Sequence, residues 1–99
     1  MPKIFQYFSY LFYIYVDDHL PIHVHVKIQG REGKFSLIYN NGVLSIVHKH
    51  IKRKPKLHST EITETKRFVR KHSNKIKVQW ETIHYYKKQV KCIVVRRKV

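Results

Sequence analysis

The sequence predicts an α+β fold, in which a four- or five-stranded antiparallel β-meander is followed by one or two C-terminal helices packed on one face. Three observations support this prediction. Aromatic and β-branched residues fill the first half in short alternating runs, turn residues separate those runs, and apolar residues recur at helical spacing after residue 59. With 99 residues, of which 42% are hydrophobic, the chain is sized for one core.

The predicted meander occupies the first half of the chain. Its strands are residues 3–7, 10–16, 22–29, 34–39 and a shorter fifth at 43–47. "FS" at 8–9 reverses the chain between the first two strands, and the proline in "DDHLP" makes that stretch a loop. "GREG" at 30–33 is the predicted hairpin connection. "NNG" at 40–42 is a second turn, since Asn-Gly readily accepts positive φ.

The second half is predicted to be a basic loop and then helix. "HKHIKRKPKLH" at 48–58 carries five Lys or Arg, three His and a proline, which indicates a solvated loop. Ser59-Thr60-Glu61 opens a helix with a hydroxyl cap and acidic residues in the first turn. Whether this helix kinks at "SN" (73–74) or a second helix begins there stays open. The apolar residues that form one stripe are Ile62, Val69, Ile76, Trp80 and Ile83.

These segments form one predicted domain over residues 1–88. It consists of a sheet at 1–47, the basic loop at 48–58 and a helical part at 59–88. Residues 89–99 are a basic C-terminal extension that contains a strand-like stretch at 91–95.

The charge of the chain is large and uneven. Lys and Arg number 21 against 6 acidic residues, a net charge of +15. Residues 1–46 hold four basic and three acidic residues, so nearly all of the excess lies in residues 47–99. Such a surface favours nucleic acid first, and an anionic membrane or an acidic protein second. A plain solvated face is the alternative. The predicted nucleic-acid-binding residues are Lys52, Arg53, Lys54, Lys56, Lys66, Arg67, Arg70 and Lys71.

Two features indicate the compartment. The single cysteine, Cys92, cannot form an internal disulfide, which is typical of a reducing compartment. The apolar run at residues 4–16 contains Gln, Ser and four tyrosines. It is also shorter than the ~20 residues that cross a bilayer. We therefore expect a cytoplasmic protein with no membrane partner.

"DDHLPIHVHV" at 17–26 is the stretch richest in reactive side chains. Its alternation predicts a strand with His23 and His25 on one face and the valines on the other. Two such imidazoles could share a metal, a phosphate or a proton relay, or could be ordinary solvent-facing side chains.

A metal site at this pair would need further ligands, because zinc takes a third and usually a fourth. His48, His50, or His19 with an aspartate could supply them only if the basic loop folds across the strand. The cationic surroundings also disfavour a divalent cation. We therefore expect no metal and no cofactor.

A nuclease can work without a metal when a general base, a general acid and a cation converge. His23 and His25 are the candidate acid and base. His19 and Lys27 are further catalytic candidates, and Arg31 is an alternative cation. RNA is the preferred substrate, since its 2′-hydroxyl provides the nucleophile.

Four stretches carry a family resemblance: "MPKIF", "YLFYIYVDDHLPIHVHV", "GKFSL" and the helical segment that contains Trp80. Over residues 1–86 the chain resembles the small bacterial family catalogued as domain of unknown function 4160, whose members carry a His-Leu-Pro-Pro-His-Val-His-Val core. Ile22 stands where that core has a second proline, the 40–58 segment is more basic than usual, and the tail after 88 is extra. The residues that match position by position are His19, Pro21, His23 and His25.

The resemblance implies one half of a two-gene, toxin–antitoxin-like pair. Together with the charge, it predicts a small bacterial nucleic-acid-associated protein, with metal-independent RNase activity of the histidines as its catalytic form. The alternative is a non-catalytic interaction module that binds an acidic partner protein encoded nearby. Whether the chain forms a homodimer stays open.

Overall fold

The computed structural model describes residues 2–99. Within them, six strands form one sheet, and two helices follow the fifth strand. The elements are β1 (Lys3–Tyr7), β2 (Tyr10–Tyr13), β3 (His23–Ile28), β4 (Arg31–Asn40), β5 (Val43–His50), α1 (Ser59–Lys71), α2 (Ser73–His84) and β6 (Ile93–Val95). The strand order in the sheet is β5-β4-β3-β2-β1-β6. No helix in this range is long and apolar enough to span a membrane.

The first five strands form the predicted antiparallel meander. Asn41 and Gly42 make the turn between β4 and β5 with φ of 52° and 79°, as their sequence predicts. The β3–β4 turn lies earlier than predicted, at Gln29 and Gly30, with φ of 46° and 82°. The rest of "GREG" is therefore strand, because a two-residue turn with both φ positive continues the ladder at once.

The sixth strand is a feature that the predicted meander lacks. β6 pairs with β1 in parallel, from Phe5 opposite Ile93 to Tyr7 opposite Val95. The α+β class with two C-terminal helices is confirmed, and the sheet is mixed because of this one parallel pair.

One face of the sheet is packed against the helices, and we call it the packed face. Its central side chains are fully buried: Phe5, Phe12, Val24, Val26 and Phe35. Phe68 of α1 stacks on Phe12 with 4.5 Å between ring centroids and meets Phe5 edge-on at 5.1 Å. Trp80 of α2 is 1% exposed, as expected of a core residue.

The two helices meet at His72, which ends α1 and precedes α2. Residues 59–84 therefore form two helices and not one kinked helix. The predicted hydroxyl cap is wrong, because His58 is the N-cap and Ser59 is already helical. The backbone N–H of His58 donates to Glu61 Oε1 at 2.7 Å, so a carboxylate satisfies this end of the helix.

β5 continues to His50, so the basic loop is three residues shorter than predicted, and its residues 51–58 pass over the packed face. Leu57 is buried, and a Cβ on Gly33 would lie only 2.7 Å from its Cδ1. Glycine is thus needed at 33 for this close approach. The N–H of Glu32 donates to the carbonyl of Pro55 at 3.1 Å, which fastens the loop to β4.

Candidate functional site

The second face of the sheet carries polar and aromatic side chains, and we call it the open face. One row runs across four strands, with Tyr13, His25, Lys34 and Lys49 as successive neighbours. These side chains are half-buried or exposed, whereas the central side chains of the packed face are fully buried. Cross-strand neighbours in such a row lie close enough to act together.

Three side chains converge at one end of this face. Asp18, in the loop between β2 and β3, places Oδ1 3.3 Å from Nε2 of His23 and 3.6 Å from Nε2 of His25. The three ligand-capable atoms lie within 4.8 Å of one another. The side chains are only 13%, 9% and 13% exposed, so the group is shielded from bulk water.

Backbone groups fix the orientation of two of the three side chains. The N–H of Tyr15 donates to Asp18 Oδ2 at 2.9 Å. Nδ1 of His23 lies 2.8 Å from the carbonyl oxygen of Pro21. A carbonyl can only accept, so Nδ1 carries the hydrogen and the neutral His23 ring presents a bare lone pair on Nε2.

His25 is held by packing. The Tyr15 ring lies 4.3 Å from its ring, and neither ring nitrogen has a hydrogen-bond partner among residues 2–99. Burial lowers the pKa of His25 below its ordinary value of 6.5, although the Asp18 carboxylate opposes the shift. The lowered pKa favours the neutral imidazole, which presents a lone pair to the group when its hydrogen is on Nδ1.

A pocket of about 310 Å³ opens beside the group. Its wall combines both signs of charge, because Asp17 and Lys34 line it together with the exposed His19. Ser36, the cross-strand partner of His23, adds a hydroxyl. A small polar or anionic molecule could reach the two histidines from here.

The sequence profile of one family, described as Domain of unknown function (DUF4160), matches residues 9–81. The chain belongs to this family. The DUF4160 match runs from Ser9, just before β2, to Glu81 in α2 and so includes every residue of the pocket, while β6 lies outside it. No curated protein and no solved structure matches the chain.

Two of the predicted catalytic candidates of this DUF4160 protein adjoin the pair. His19 lines the pocket, and Lys27 lies on the open face with its ammonium 4.8 Å from the Tyr13 ring centroid. Arg31 lies on the other face, where Nε donates to Glu61 Oε1 at 2.9 Å. This bond lowers the pKa of the Glu61 carboxyl, and the arginine is not available to the site.

The predicted nucleic-acid-binding residues lie away from the pocket. Those of the basic loop and of α1 are all exposed, but both segments pack on the packed face. His48 also lies there, with its ring 5.0 Å from Phe35. The basic loop therefore crosses the sheet on the side opposite the histidine pair and brings it neither His48 nor His50.

Sequence reasoning missed Lys34 and Tyr15. Lys34 lies opposite His25 because the β3–β4 turn is at 29–30, and the later predicted turn hid this register. The sequence predicts a strand through Tyr15, whereas β2 ends at Tyr13 and the chain turns to bring Asp18 back to the Tyr15 N–H. The two aspartates at 17–18 indicate a turn, but not where the carboxylate of Asp18 bonds.

Proposed function

We propose that this DUF4160 protein binds single-stranded RNA across the open face, with the backbone passing the Asp18–His23–His25 pocket. The observation that carries the proposal is the interleaving of aromatic rings and ammonium groups on that face. Rings for stacking and cations for phosphates are the two elements that single-strand binders combine.

The aromatic element consists of Tyr13 and Tyr15. Their rings are nearly parallel, with centroids 6.4 Å apart and planes at 16°, and both side chains are half-buried. Tyr15 also contacts His25, so the platform continues into the pocket. A base that stacks on such a ring contributes about 1–3 kcal/mol to binding.

The cationic element consists of Lys27, Lys34 and Lys49, one on each of three neighbouring strands. Each phosphate neutralised by a lysine releases counterions, so binding should weaken steeply as salt rises. The net charge of +15 adds long-range attraction for any polyanion.

RNA cleavage by a metal-free His23–His25 pair receives less support. An acid and a base must reach opposite sides of the scissile phosphate. Here both Nε2 atoms face the same oxygen of Asp18, at 3.3 and 3.6 Å. Binding is therefore the function that we propose for the open face.

A second function, docking of an acidic partner protein, fits the other side of the molecule. The exposed cations of the basic loop and of α1 lie apart from the pocket and form a surface of their own. A partner from a toxin–antitoxin-like gene pair would use this surface and leave the open face to RNA.

Fluorescence anisotropy with a labelled single-stranded RNA tests the proposal. Tyr13→Leu should weaken binding by about five- to a hundredfold, the equivalent of one lost stacked base. Tyr39→Leu is the matched control, since Tyr39 also lies beneath a lysine, with Lys77 5.9 Å from its ring, but belongs to the packed side. Equal losses in the two variants would overturn the assignment to the open face.

The contribution of the open-face lysines to RNA binding is tested with the same assay. Lys34→Gln with Lys49→Gln should weaken binding and reduce its salt dependence more than Lys52→Gln with Lys54→Gln, which removes the same charge from the basic loop. A larger loss from the loop pair would move the RNA to the helix side. Binding that does not change with salt would refute the electrostatic account.

A further inference from the structure

The contact between Asp18 and His23 requires a positive charge. His23 Nδ1 donates to Pro21, so Nε2 of the neutral ring has only a lone pair, and it faces the carboxylate oxygen of Asp18 at 3.3 Å. Two electron-rich atoms at this distance repel each other unless a proton or a metal ion lies between them.

His25 brings a third atom to the same point. Its Nε2 lies 3.6 Å from Asp18 Oδ1 and has no hydrogen-bond partner among residues 2–99. Hydrogens could satisfy the carboxylate only if His23 were an imidazolium and His25 carried its hydrogen on Nε2. One ion at the centre of the group would satisfy all three.

We infer that Asp18, His23 and His25 bind one divalent transition-metal ion of the zinc class. Zinc–nitrogen and zinc–oxygen bonds are about 2.0–2.2 Å, which places tetrahedral ligand atoms about 3.3–3.5 Å apart. The two separations from Asp18, 3.3 and 3.6 Å, match this spacing. The donor set of two imidazoles and a carboxylate is one that zinc and ferrous iron accept.

Two of the three side chains, His23 and Asp18, have the outer hydrogen bonds that metal ligands usually make. Ligating histidines usually donate their other N–H to a carbonyl or carboxylate, and ligating carboxylates are themselves hydrogen-bonded. His23 makes the first type of bond to Pro21, and Asp18 makes the second to the Tyr15 N–H. Trp80, with its ring 5.3 Å from that of His23, closes the group from the core side.

The group has less positive charge around it than the sequence predicts. The eight Lys and Arg residues of the basic loop and α1 lie on the packed side of the sheet, away from the group. The pocket itself holds two carboxylates, Asp17 and Asp18, against Lys34.

Three protein ligands leave at least one coordination position free, and the pocket gives access to it. Sites of this kind are open and bind a water or a substrate oxygen, in contrast to closed four-ligand structural sites. Lys34 lines the same pocket, so the ligand class that we infer for the free position is a small anion such as a phosphate group. This inference does not depend on RNA binding.

Calorimetric titration of the chelator-treated full chain with Zn²⁺ tests it. We expect saturable binding of one ion per chain and a rise in melting temperature on addition of Zn²⁺, because the ion binds only the folded chain. Asp18→Asn keeps an oxygen that can accept the Tyr15 N–H but is a poorer ligand, and it should bind Zn²⁺ at least about tenfold more weakly.

Two histidine variants complete the test. His25→Ala should lose the site, whereas His50→Ala should bind as the wild type does, because His50 is exposed on β5 and outside the group. Circular dichroism confirms that each variant folds. No saturable binding by the wild type, or unchanged binding by both Asp18→Asn and His25→Ala, would overturn the inference. Anisotropy in chelator tests RNA binding separately, so either proposal can fail alone.

Discussion

The two faces of this sheet differ in role, because one forms the core and the other carries the pocket. The packed face buries aliphatic and aromatic side chains under two helices, while the open face presents tyrosines, lysines and histidines. The division passes through single strands: in "HVHV", Val24 and Val26 are fully buried, and His25 between them lines the pocket. Residues one position apart therefore serve stability and chemistry separately.

The two faces differ in what packs over them as well as in their side chains. Phe68 contacts rings from two strands of the packed face, at 4.5 and 5.1 Å, and excludes water from them. On the open face, Val47 is 51% exposed, although it is as apolar as the buried Val24 and Val26 on the packed face. Stability should thus respond to changes on the packed face and tolerate those on the open face.

Phe68→Ala should have the largest effect. Truncating a buried phenylalanine costs about 3–5 kcal/mol, a large part of the ~5–15 kcal/mol that stabilises a small domain. Urea unfolding measures the loss. Val78→Ala is the control, since Val78 is 60% exposed on α2. If Phe68→Ala unfolds at the wild-type midpoint, the packed face does not carry the stability.

Glu61→Gln should have an intermediate effect that depends on pH. The hydrogen bond from Arg31 lowers the pKa of the Glu61 carboxyl below 4.5, with smaller contributions from the His58 N–H and side chain. Tyr10 is the other titratable group that faces it. A depressed carboxyl pKa stabilises the fold above the unfolded value, and this stability is lost as pH falls through the folded value.

At pH 7 the Glu61→Gln variant should therefore be less stable by about 1.5–3 kcal/mol, the usual range for a hydrogen bond to a charged group. The difference should shrink as the pH falls below 4.5. Thermal melts at several pH values measure it. Glu81→Gln serves as the comparison, because Glu81 has no ion pair in the described part of the chain. A difference that stays constant down to acid pH would contradict the role of the ion pair.

Val47→Thr should have the smallest effect, within about 0.5 kcal/mol, because the side chain is exposed on the open face. Ile46→Thr, one residue earlier, is the sharp comparison, since Ile46 is only 8% exposed on the packed face. The hydroxyl would be buried there, at a cost of about 1–3 kcal/mol. Equal melting temperatures for the two variants would mean that the faces do not differ in stability.

Local patterns were enough to predict the meander and the separation of the two faces. Alternation in "HVHV" placed the histidines opposite the valines, and Asn-Gly at 41–42 marked the β4–β5 turn. Helical spacing correctly placed Trp80 in the core. Each of these depends on neighbours within a few residues, where backbone geometry alone decides the outcome.

What could not be predicted depends on contacts between distant residues. Lys34 lies beside His25 because the β3–β4 turn is earlier in the chain than the sequence predicts. The path of the basic loop depends on the packing of Leu57 against Gly33. No local sequence pattern predicts that contact. The role of Asp18 required the loop to turn back onto the strand. Composition shows which residue types could form a site, but it does not show that the fold brings them together.

The sixth strand has a consequence for self-association. β1 carries the apolar side chains Ile4, Phe5 and Tyr7, and without β6 it would be an edge strand with unpaired N–H and C=O groups. Such an edge readily accepts an extended segment of another molecule. β6 occupies those groups, while the opposite edge at β5 ends in exposed Lys49 and His50. A very short edge strand at β6 and a charged end at β5 are both features that disfavour the addition of further strands.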